Sequence, residues 1–573
     1  LAVQPTGTTL EATIVVAAGI GYRTLRWGPG WPTMVRTELA APRAQREDRR
    51  RGLAAVAHLT DIHIVDAQSP GRVEFLDFLG DPFTAAARPH ELLTTHVASS
   101  MVRRINEVGV GPITGRPFDA AVSTGDNIDN QQWNELGWFL GVLDGTGVDP
   151  NSGAAEGYEG IQDDVVVDPT YWHPEPGVVD DFKTVRGFPD YPGLLEAALV
   201  PFATPAIAMP WYSTYGNHDG LIQGNLPTSD AVDQLLLESR KILALQPGQS
   251  TGDFLGDMFT SPATVLAELQ GGLYPQRTVA ADSTRISVKT PEWVQAHLDS
   301  PAAPGPKGHG YTEEHLDLPA LYYSFDLTPA VLGISLDTGG YNSGSIGEGQ
   351  FAWLEHTLQS AHARWFDTDG TEVRGGTTDR LVIVFSHFNP RSMNQPMTDP
   401  AHPDERRVLG DEIVALFHRY PNMVVWVNGH HHVNEVTPMP DPSGRSGGFW
   451  DINTASHVDY PEHARLIEVV DNADGTLSIF STMIEHAAGP TTNADDTSVR
   501  GLASISRELA ANDPQTDLAL RLGQAEDLNV ELALTAPFDL STLDTTPTTS
   551  TTTTPTTATD QVNSPAVVPA FTG

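Results

Sequence analysis

The amino-acid sequence predicts an α/β fold in which two layers of mixed β-sheet lie inside a covering of helices. Three observations lead there. Apolar runs of strand length alternate with stretches of helical period, the pattern of βα units. Late in the chain, strand-like runs follow one another with only turn residues between them, as in a meander. At 573 residues, 39% hydrophobic and 18% charged, the chain is long enough to bury a large core.

Taken in order, residues 1–50 hold one apolar run, ATIVVAAGIGY at 12–22, then Pro- and Arg-rich sequence; a strand pair and a polar lead-in are expected. The main domain is expected over 51–490. LAAVAHLT (53–60) reads as a strand, HELLTTHVASSMVRRINEVG (90–109) as a helix, and FDAAVST (118–124) as a second strand. QQWNELGWFLGVLDG (131–145) is helix-like, and PAIAMPWYSTYG (205–216) reads as a third buried strand. Two stretches without clear period, 144–204 and 220–320, are expected as insertions. LYYSFDL (321–327) and VLGISLD (331–337) read as a hairpin, and QFAWLEHTLQSAH (350–362) is amphipathic. RLVIVFS (380–386), helix-like ERRVLGDEIVALFHRY (405–420) and MVVWVNG (423–429) continue the alternation. GFWDINT (448–454), ARLIEVV (464–470) and TLSIFST (476–482) are consecutive strands, with Asp474-Gly475 marking a hairpin. Residues 491–540 are expected as a small appendage without chemistry. Residues 541–573, which include a long Thr/Pro tract, are expected as a disordered tail.

The charge balance excludes some functions. With 73 acidic against 33 basic residues the formal charge is −40, which repels nucleic-acid duplexes and anionic membranes. No run approaches the roughly 18 to 20 apolar residues of a membrane span, so no membrane insertion is expected. The absence of cysteine excludes disulfides, thiolate metal sites and cysteine nucleophiles. The Thr/Pro tract and a first residue, Leu1, other than Met lead to the expectation of a secreted or cell-surface protein.

Five of the apolar runs end in polar residues of one chemical kind: Asp61-Ile62-His63, then Gly125-Asp126-Asn127-Ile128-Asp129, then Gly216-Asn217-His218-Asp219, then His387, then Gly429-His430-His431-His432. Open α/β sheets place ligand sites just beyond the carboxyl ends of strands. Carboxylate, imidazole and amide oxygen together suit Zn, Mn or Fe. If the strands continue, residues i and i+2 share a face, so Asp61 with His63, and His430 with His432, could each serve one metal. Taken singly, each cluster is an ordinary turn or helix cap; their joint occurrence at five strand ends is not.

In order and spacing the five clusters resemble the signature of the calcineurin-like metallophosphoesterases: D-x-H, GD-x-x-D/N, GNH-D/E, a lone His, and G-H-x-H, here spanning 61–432. The resemblance implies a four-layer αββα sandwich of two mixed β-sheets flanked by helices, with two metal ions (Mn, Fe or Zn) at one rim. It implies one metal on Asp61, His63, Asp126 and His432, and another on Asp126, Asn217, His387 and His430, Asp126 bridging. The implied activity is hydrolysis of a phosphomonoester or phosphodiester by metal-activated hydroxide. Its substrate would be a phosphorylated small molecule or nucleotide, with His218 beside the leaving group as a general acid. Asn217 and His218 are therefore the expected catalytic pair. In purple acid phosphatases the last position of GDxxY is a tyrosine that ligates ferric iron; Asp129 stands there, so no purple centre is expected, and Asp129 reads as a cap or a support for ligands.

Other residues invite weaker readings. Arg72 could meet a phosphate oxygen, though a surface arginine is the plainer expectation. Tyr171-Trp172-His173 could stack a base or sugar or simply pack locally. His431 should face away from the metals. Asn389 and His457 could line a pocket. A phosphoesterase-like fold that has lost turnover and serves as a surface-binding protein is the alternative. A metal-dependent amidohydrolase would want H-x-H on its first strand and regular βα alternation, neither of which is present.

Overall fold

The computed structural model describes residues 6–79, 85–224, 228–301, 303–318, 320–339, 344–398, 403–544, 546 and 552–553. Its principal strands, in chain order, begin with a hairpin of β1 (Ala12–Val16) and β2 (Leu25–Pro29), then β3 (Met34–Arg36), β4 (Arg51–Leu59), β5 (Ala120–Thr124) and β6 (Trp211–Thr214). There follow β7 (Tyr323–Thr328), β8 (Val331–Ser335), β9 (Leu381–Phe385), β10 (Met423–Asn428), β11 (Glu435–Met439) and β12 (Phe449–Asn453). The last are β13 (His463–Asp471), β14 (Thr476–Glu485) and β15 (Val530–Thr535). The helices used below are α1 (Thr94–Val108), α2 (Trp133–Asp144), α3 (Thr290–Asp299), α4 (Glu348–Ser360), α5 (Gly410–Phe417) and α6 (Val499–Ala510).

Two mixed sheets result. One runs β3-β15-β14-β13-β4-β5-β6; the other runs β11-β12-β10-β9-β8-β7, with Thr552–Thr553 paired on the outer edge of β7. Within the first, β4, β5 and β6 are mutually parallel. Within the second, β8, β9, β10 and β12 are parallel. Strand alternation sorts the core into layers. Leu381, Ile383 and Phe385 of β9, with Val425 and Val427 of β10, join the large core shared with the first sheet. Val382, Val384 and Trp426 face the other way, against Leu354 and Leu358 of α4 and Ile413 and Leu416 of α5. Burial on both faces is why these strands read as unbroken apolar runs. On the first sheet's outer side, α1 and α2 contribute Met101, Ile105, Leu136 and Phe139. The fold is the four-layer αββα sandwich.

The second insertion finishes an edge. The backbone of Gly305 and His309 accepts from Trp211 and Ser213 of β6, and the His309 ring stacks on Trp211 at 3.5 Å. That cover leaves β6 no open edge along those bonds. Residues 230–270 carry short helices around a small core that they share with Val73, Phe75 and Leu76, Leu236 and Val265 being fully buried in it. The 144–204 stretch packs Trp172 and Leu195 against Leu502, Ile505 and Leu509 of α6.

Several expectations need correction. The third buried strand covers Trp211–Thr214, not all of 205–216, because Pro205 and Pro210 bound the ladder. The helix expected over 405–420 covers Gly410–Phe417, after a two-residue pairing at Arg407–Val408. β11, which includes Pro438, was not read from the sequence; it lies at the sheet's edge, where a missing N–H is tolerated. Residues 491–540 are not set apart from the sandwich: β15 lies between β14 and β3, and α6 packs on α1. Most of the tail at 541–573 lies outside the described residues. Among the described residues, no helix is long and apolar enough to cross a membrane.

Candidate metal centre

Each ligand-bearing cluster begins within two residues of a strand's carboxyl end: after Leu59 of β4, Thr124 of β5, Thr214 of β6, Phe385 of β9 and Asn428 of β10. Parallel neighbours deliver these ends to one rim. The chain then leaves the strand conformation. Asp61, His63, Asp126, His430 and His432 all take positive φ, at 50°, 49°, 50°, 73° and 54°. A left-handed residue with a side chain costs roughly 1 kcal/mol or more, and such strain collects at functional sites. Backbone bonds across the loops hold these conformations: Asp61 N donates to Gly125 O at 3.1 Å, His63 N to Asp126 O at 2.9 Å, and Gly429 N to His387 O at 3.1 Å. Asp219, the last residue of the GNHD cluster, accepts from Asn127 N and Gly216 N at 2.8 Å each, tying the second cluster to the third.

Two glycines let the loops approach. A Cβ on Gly216 would sit 2.3 Å from Asp126 Oδ1, and one on Gly429 would sit 2.2 Å from Asp61 Oδ2 and 2.0 Å from Thr60 Oγ1. Gly429→Ala must therefore displace the Asp61 carboxylate. The expected result is a 10- to 100-fold loss of metal affinity, about what disturbing a ligand's support costs. Metal titration checks it, with circular dichroism to confirm an unchanged fold.

The candidate donors form three groups among the described residues: Asp61, His63, Asp126 and His432 in one, Asp126, His387 and His430 in a second that shares Asp126 with it, and His63, Asp129 and His218 in a third. Asn217 adds its Oδ1 to the second, 3.0 Å from His387 Nε2. His63 Nε2 lies 3.1 Å from His432 Nε2 and 3.6 Å from Asp126 Oδ2. His432 Nε2 lies 3.2 Å from Asp61 Oδ1, and His387 Nε2 lies 3.1 Å from Asp126 Oδ2.

These spacings fit metal ions. His63 Nδ1 lies 2.7 Å from Asp129 Oδ1, His432 Nδ1 2.5 Å from Asp459 Oδ2, and His387 Nδ1 2.9 Å from Thr124 O. Each partner is an acceptor, so each Nδ1 carries a proton and each ring would turn an Nε2 lone pair inward to a bound cation. Lone pairs and carboxylate oxygens converging at about 3 Å are adjacent ligand positions around a cation with bonds of about 2.1 Å. Histidine ligands held from behind by carboxylate or carbonyl are the usual support of such sites. Without ions the electrostatics show the same demand. Burial opposes charge on His387, but Asp126 and Asp61 outweigh it and raise its pKa to about 9. Burial likewise opposes charge on His432, and Asp61 and Asp459 override it upward. Burial would raise Asp61 and Asp126, yet the surrounding imidazoles hold both well below the usual carboxylate range. Burial, with His218 close by, pushes His63 down to about 4.

His218 stands beside this donor set. Its backbone N donates to Asp126 Oδ1 at 2.8 Å, and its Nδ1 lies 2.8 Å from Asp129 Oδ1. Its ring meets the His63 ring edge-on at 4.5 Å. The side chain is braced by Asp129, not by Asn217.

All seven side chains expected as ligands (Asp61, His63, Asp126, Asn217, His387, His430 and His432) lie in this one constellation, and His218 lies at its edge. Strand alternation, expected to aim four of them, does not. None of the D-x-H or H-x-H residues lies in a strand, and left-handed backbone, not strand alternation, aims them. His430 and His432 fall in different donor groups, not on one metal. His430 instead stacks on Phe388 at 3.9 Å. His431, expected to face away from the metals, is exposed. Arg72 is not the surface arginine expected: it is 1% exposed and ion-paired to Asp129 and Glu91. His173 is packed locally, its ring nitrogens 2.6 and 2.9 Å from the carbonyls of Asp163 and Asp168. Asn389 and His457 are fully buried. Asp459 was missed altogether. It pairs with His432, Arg88 and Arg521, and its signal was its place after β12, the next parallel strand beyond β10.

No family model matches this chain, and no curated protein does. Among solved structures it is similar to a dimetal phosphatase from Danio rerio, at 11% identity and a TM-score of 0.31, over 76% of this chain and all of that one. It is also similar to the purple acid phosphatase PPD1 of yellow lupin (Lupinus luteus) seeds, at 9% identity and a TM-score of 0.27, over 83% of this chain and 56% of that one.

Proposed function

We propose that the chain is a metal-dependent phosphoesterase of the calcineurin-like kind, acting on a phosphomonoester or phosphodiester of a small molecule or nucleotide. The observation that supports this reading best is the pair of donor sets joined through Asp126, with His218 held at their edge. Two cations held there would lower the pKa of a water, align it, and neutralise charge developing on the phosphoryl oxygens. Asp61 and Asp126 bring two negative charges, and the imidazoles and amide bring none. A pair of divalent ions thus leaves the centre positive and able to draw phosphate inside a chain of formal charge −40.

The Asp129 carboxylate behind His218 Nδ1 fixes the ring, leaving Nε2 as the nitrogen that would hand a proton to a departing alkoxide. A merely orienting histidine would have bonded to Asn217. His218→Ala is expected to lower turnover roughly 10²-fold on a substrate with a poor leaving group, the usual yield of a positioned acid. On a substrate such as a nitrophenyl ester, whose leaving group needs no proton, the fall should be much smaller. The test is a panel of chromogenic monoesters, diesters and nucleotides on metal-reconstituted protein beside this variant. Absence of all hydrolysis, with metals demonstrably bound, would leave a silent binding protein. Equal falls on good and poor leaving groups would remove His218 as the acid.

A further inference from the structure

The supports behind three of the centre's histidines meet at one turn. Asp129 backs His63 and His218, and Asp459 backs His432. Arg72 holds Asp129, while Arg88 holds Asp459 through Nε at 2.8 Å and Nη2 at 3.3 Å. Both guanidiniums then turn to a single carbonyl. Arg72 Nη2 donates to Ala85 O at 3.1 Å and Arg88 Nη1 at 3.2 Å; Gln223 Nε2, which also reaches Asp129, donates to it at 2.9 Å. Glu91 repeats the junction, its Oε2 accepting from Arg72 Nη2 at 2.7 Å and from Arg88 N at 3.0 Å.

The turn itself is tied down on two sides. His90 Nε2 donates to Val458 O at 2.5 Å, one residue before Asp459. Gln162, from the 144–204 insertion, donates from Nε2 to Pro89 O at 3.0 Å. Arg72, Arg88, His90, Glu91 and Gln162 are all buried, so water does not compete for these bonds, and a broken one leaves a polar group without a partner. The second donor set is held differently. His387 is backed by the carbonyl of Thr124, and His430 lies against the Phe388 ring. Among the described residues no hydrogen bond joins either of them to residues 85–91. The turn therefore reaches only one of the two ions the centre would hold, through both of that ion's histidines.

We propose that residues 85–91 act as one positioning element for the ion of Asp61, His63, Asp126 and His432, with Arg88 as its central positioning residue. Arg88 sets His432 through Asp459, and it is coupled through Ala85 O and Glu91 to the Arg72 that sets His63. The proposal rests on the reading of the centre as a two-cation site. The test is isothermal titration of the chelator-treated full chain with Mn²⁺, with Tm measured on each protein. Wild-type protein is expected to take two ions. Arg88→Gln, which gives up the paired bonds to Asp459, is expected to weaken one of them about tenfold or more and to leave the other within about threefold. Arg88→Lys, which keeps the charge, should recover part of that loss and carries the measurement if the glutamine variant does not fold. Because the two arginines share acceptors, Arg72→Lys combined with Arg88→Lys should lose less than the product of the single losses. Wild-type affinity for both ions in the Arg88 variants, equal weakening of both ions, or strictly multiplicative losses would each overturn the proposal and leave the phosphoesterase reading standing. A wild-type chain that takes no ion would overturn both.

Discussion

Removing divalent metal with a chelator is expected to abolish hydrolysis and to lower Tm by about 8 °C. The stability change follows from linkage: each of two ions present at 1,000 times its Kd stabilises by about 4 kcal/mol, and a chain of this length loses roughly 1 °C per kcal/mol. The structural reason is the arrangement of the donors. His63 Nε2 and His432 Nε2 face each other at 3.1 Å, and two buried carboxylates, Asp61 and Asp126, lie among them. Emptied of cations, the centre can balance its buried carboxylates only by drawing protons onto His387 and His432, and left-handed backbone at five positions is no longer repaid by ligand bonds. Zn²⁺ or Mn²⁺ added back should restore both activity and Tm. Calorimetry with parallel metal analysis reads the outcome. Full hydrolysis by protein shown to be free of metal would remove the cations from the mechanism.

How much of this was legible in the sequence depends on range. A donor cluster is local: a strand-length apolar run followed by D-x-H or G-H-x-H can be read in a dozen residues, and five such runs hold all seven side chains expected at the candidate centre. Strands buried on both faces, such as β9 and β10, are equally legible because burial writes itself as an apolar run. What supports the ligands is not local. Asp129 and His218 are 89 positions apart, Arg88 and Asp459 are 371 apart, and no period or motif joins them. Arg72 looked like a surface residue because its partners, Asp129 and Glu91, are chosen by the fold alone. β15 looked like an appendage for the same reason: an end-of-chain strand carries no mark of which strands it will lie between.

Asp129→Asn is expected to be among the most damaging single changes in the molecule, although it alters one atom. Asp129 Oδ1 accepts from His63 Nδ1 and His218 Nδ1, and Oδ2 accepts from Arg72 and from Gln223 Nε2 at 3.3 Å. All four partners are donors. An amide offers one accepting oxygen and one donating nitrogen, so either orientation sets N–H against N–H on one side. With the nitrogen toward Arg72, a buried guanidinium keeps Glu91 as its remaining carboxylate; breaking a buried pair this way costs roughly 3 to 5 kcal/mol. With the nitrogen toward the histidines, His63 loses the acceptor that fixes its tautomer, worth about 10- to 100-fold in metal affinity or activity. His218 loses its brace in the same stroke, so the variant should approach the fall expected for His218→Ala on poor leaving groups. Because one carboxylate serves both rings, the two changes are not independent. The Asp129→Asn/His218→Ala double variant should therefore lose less than the product of the single losses, measured as turnover at saturating metal. Strict multiplicativity would show that Asp129 acts on the ligand alone and that His218 is placed by its backbone bond to Asp126.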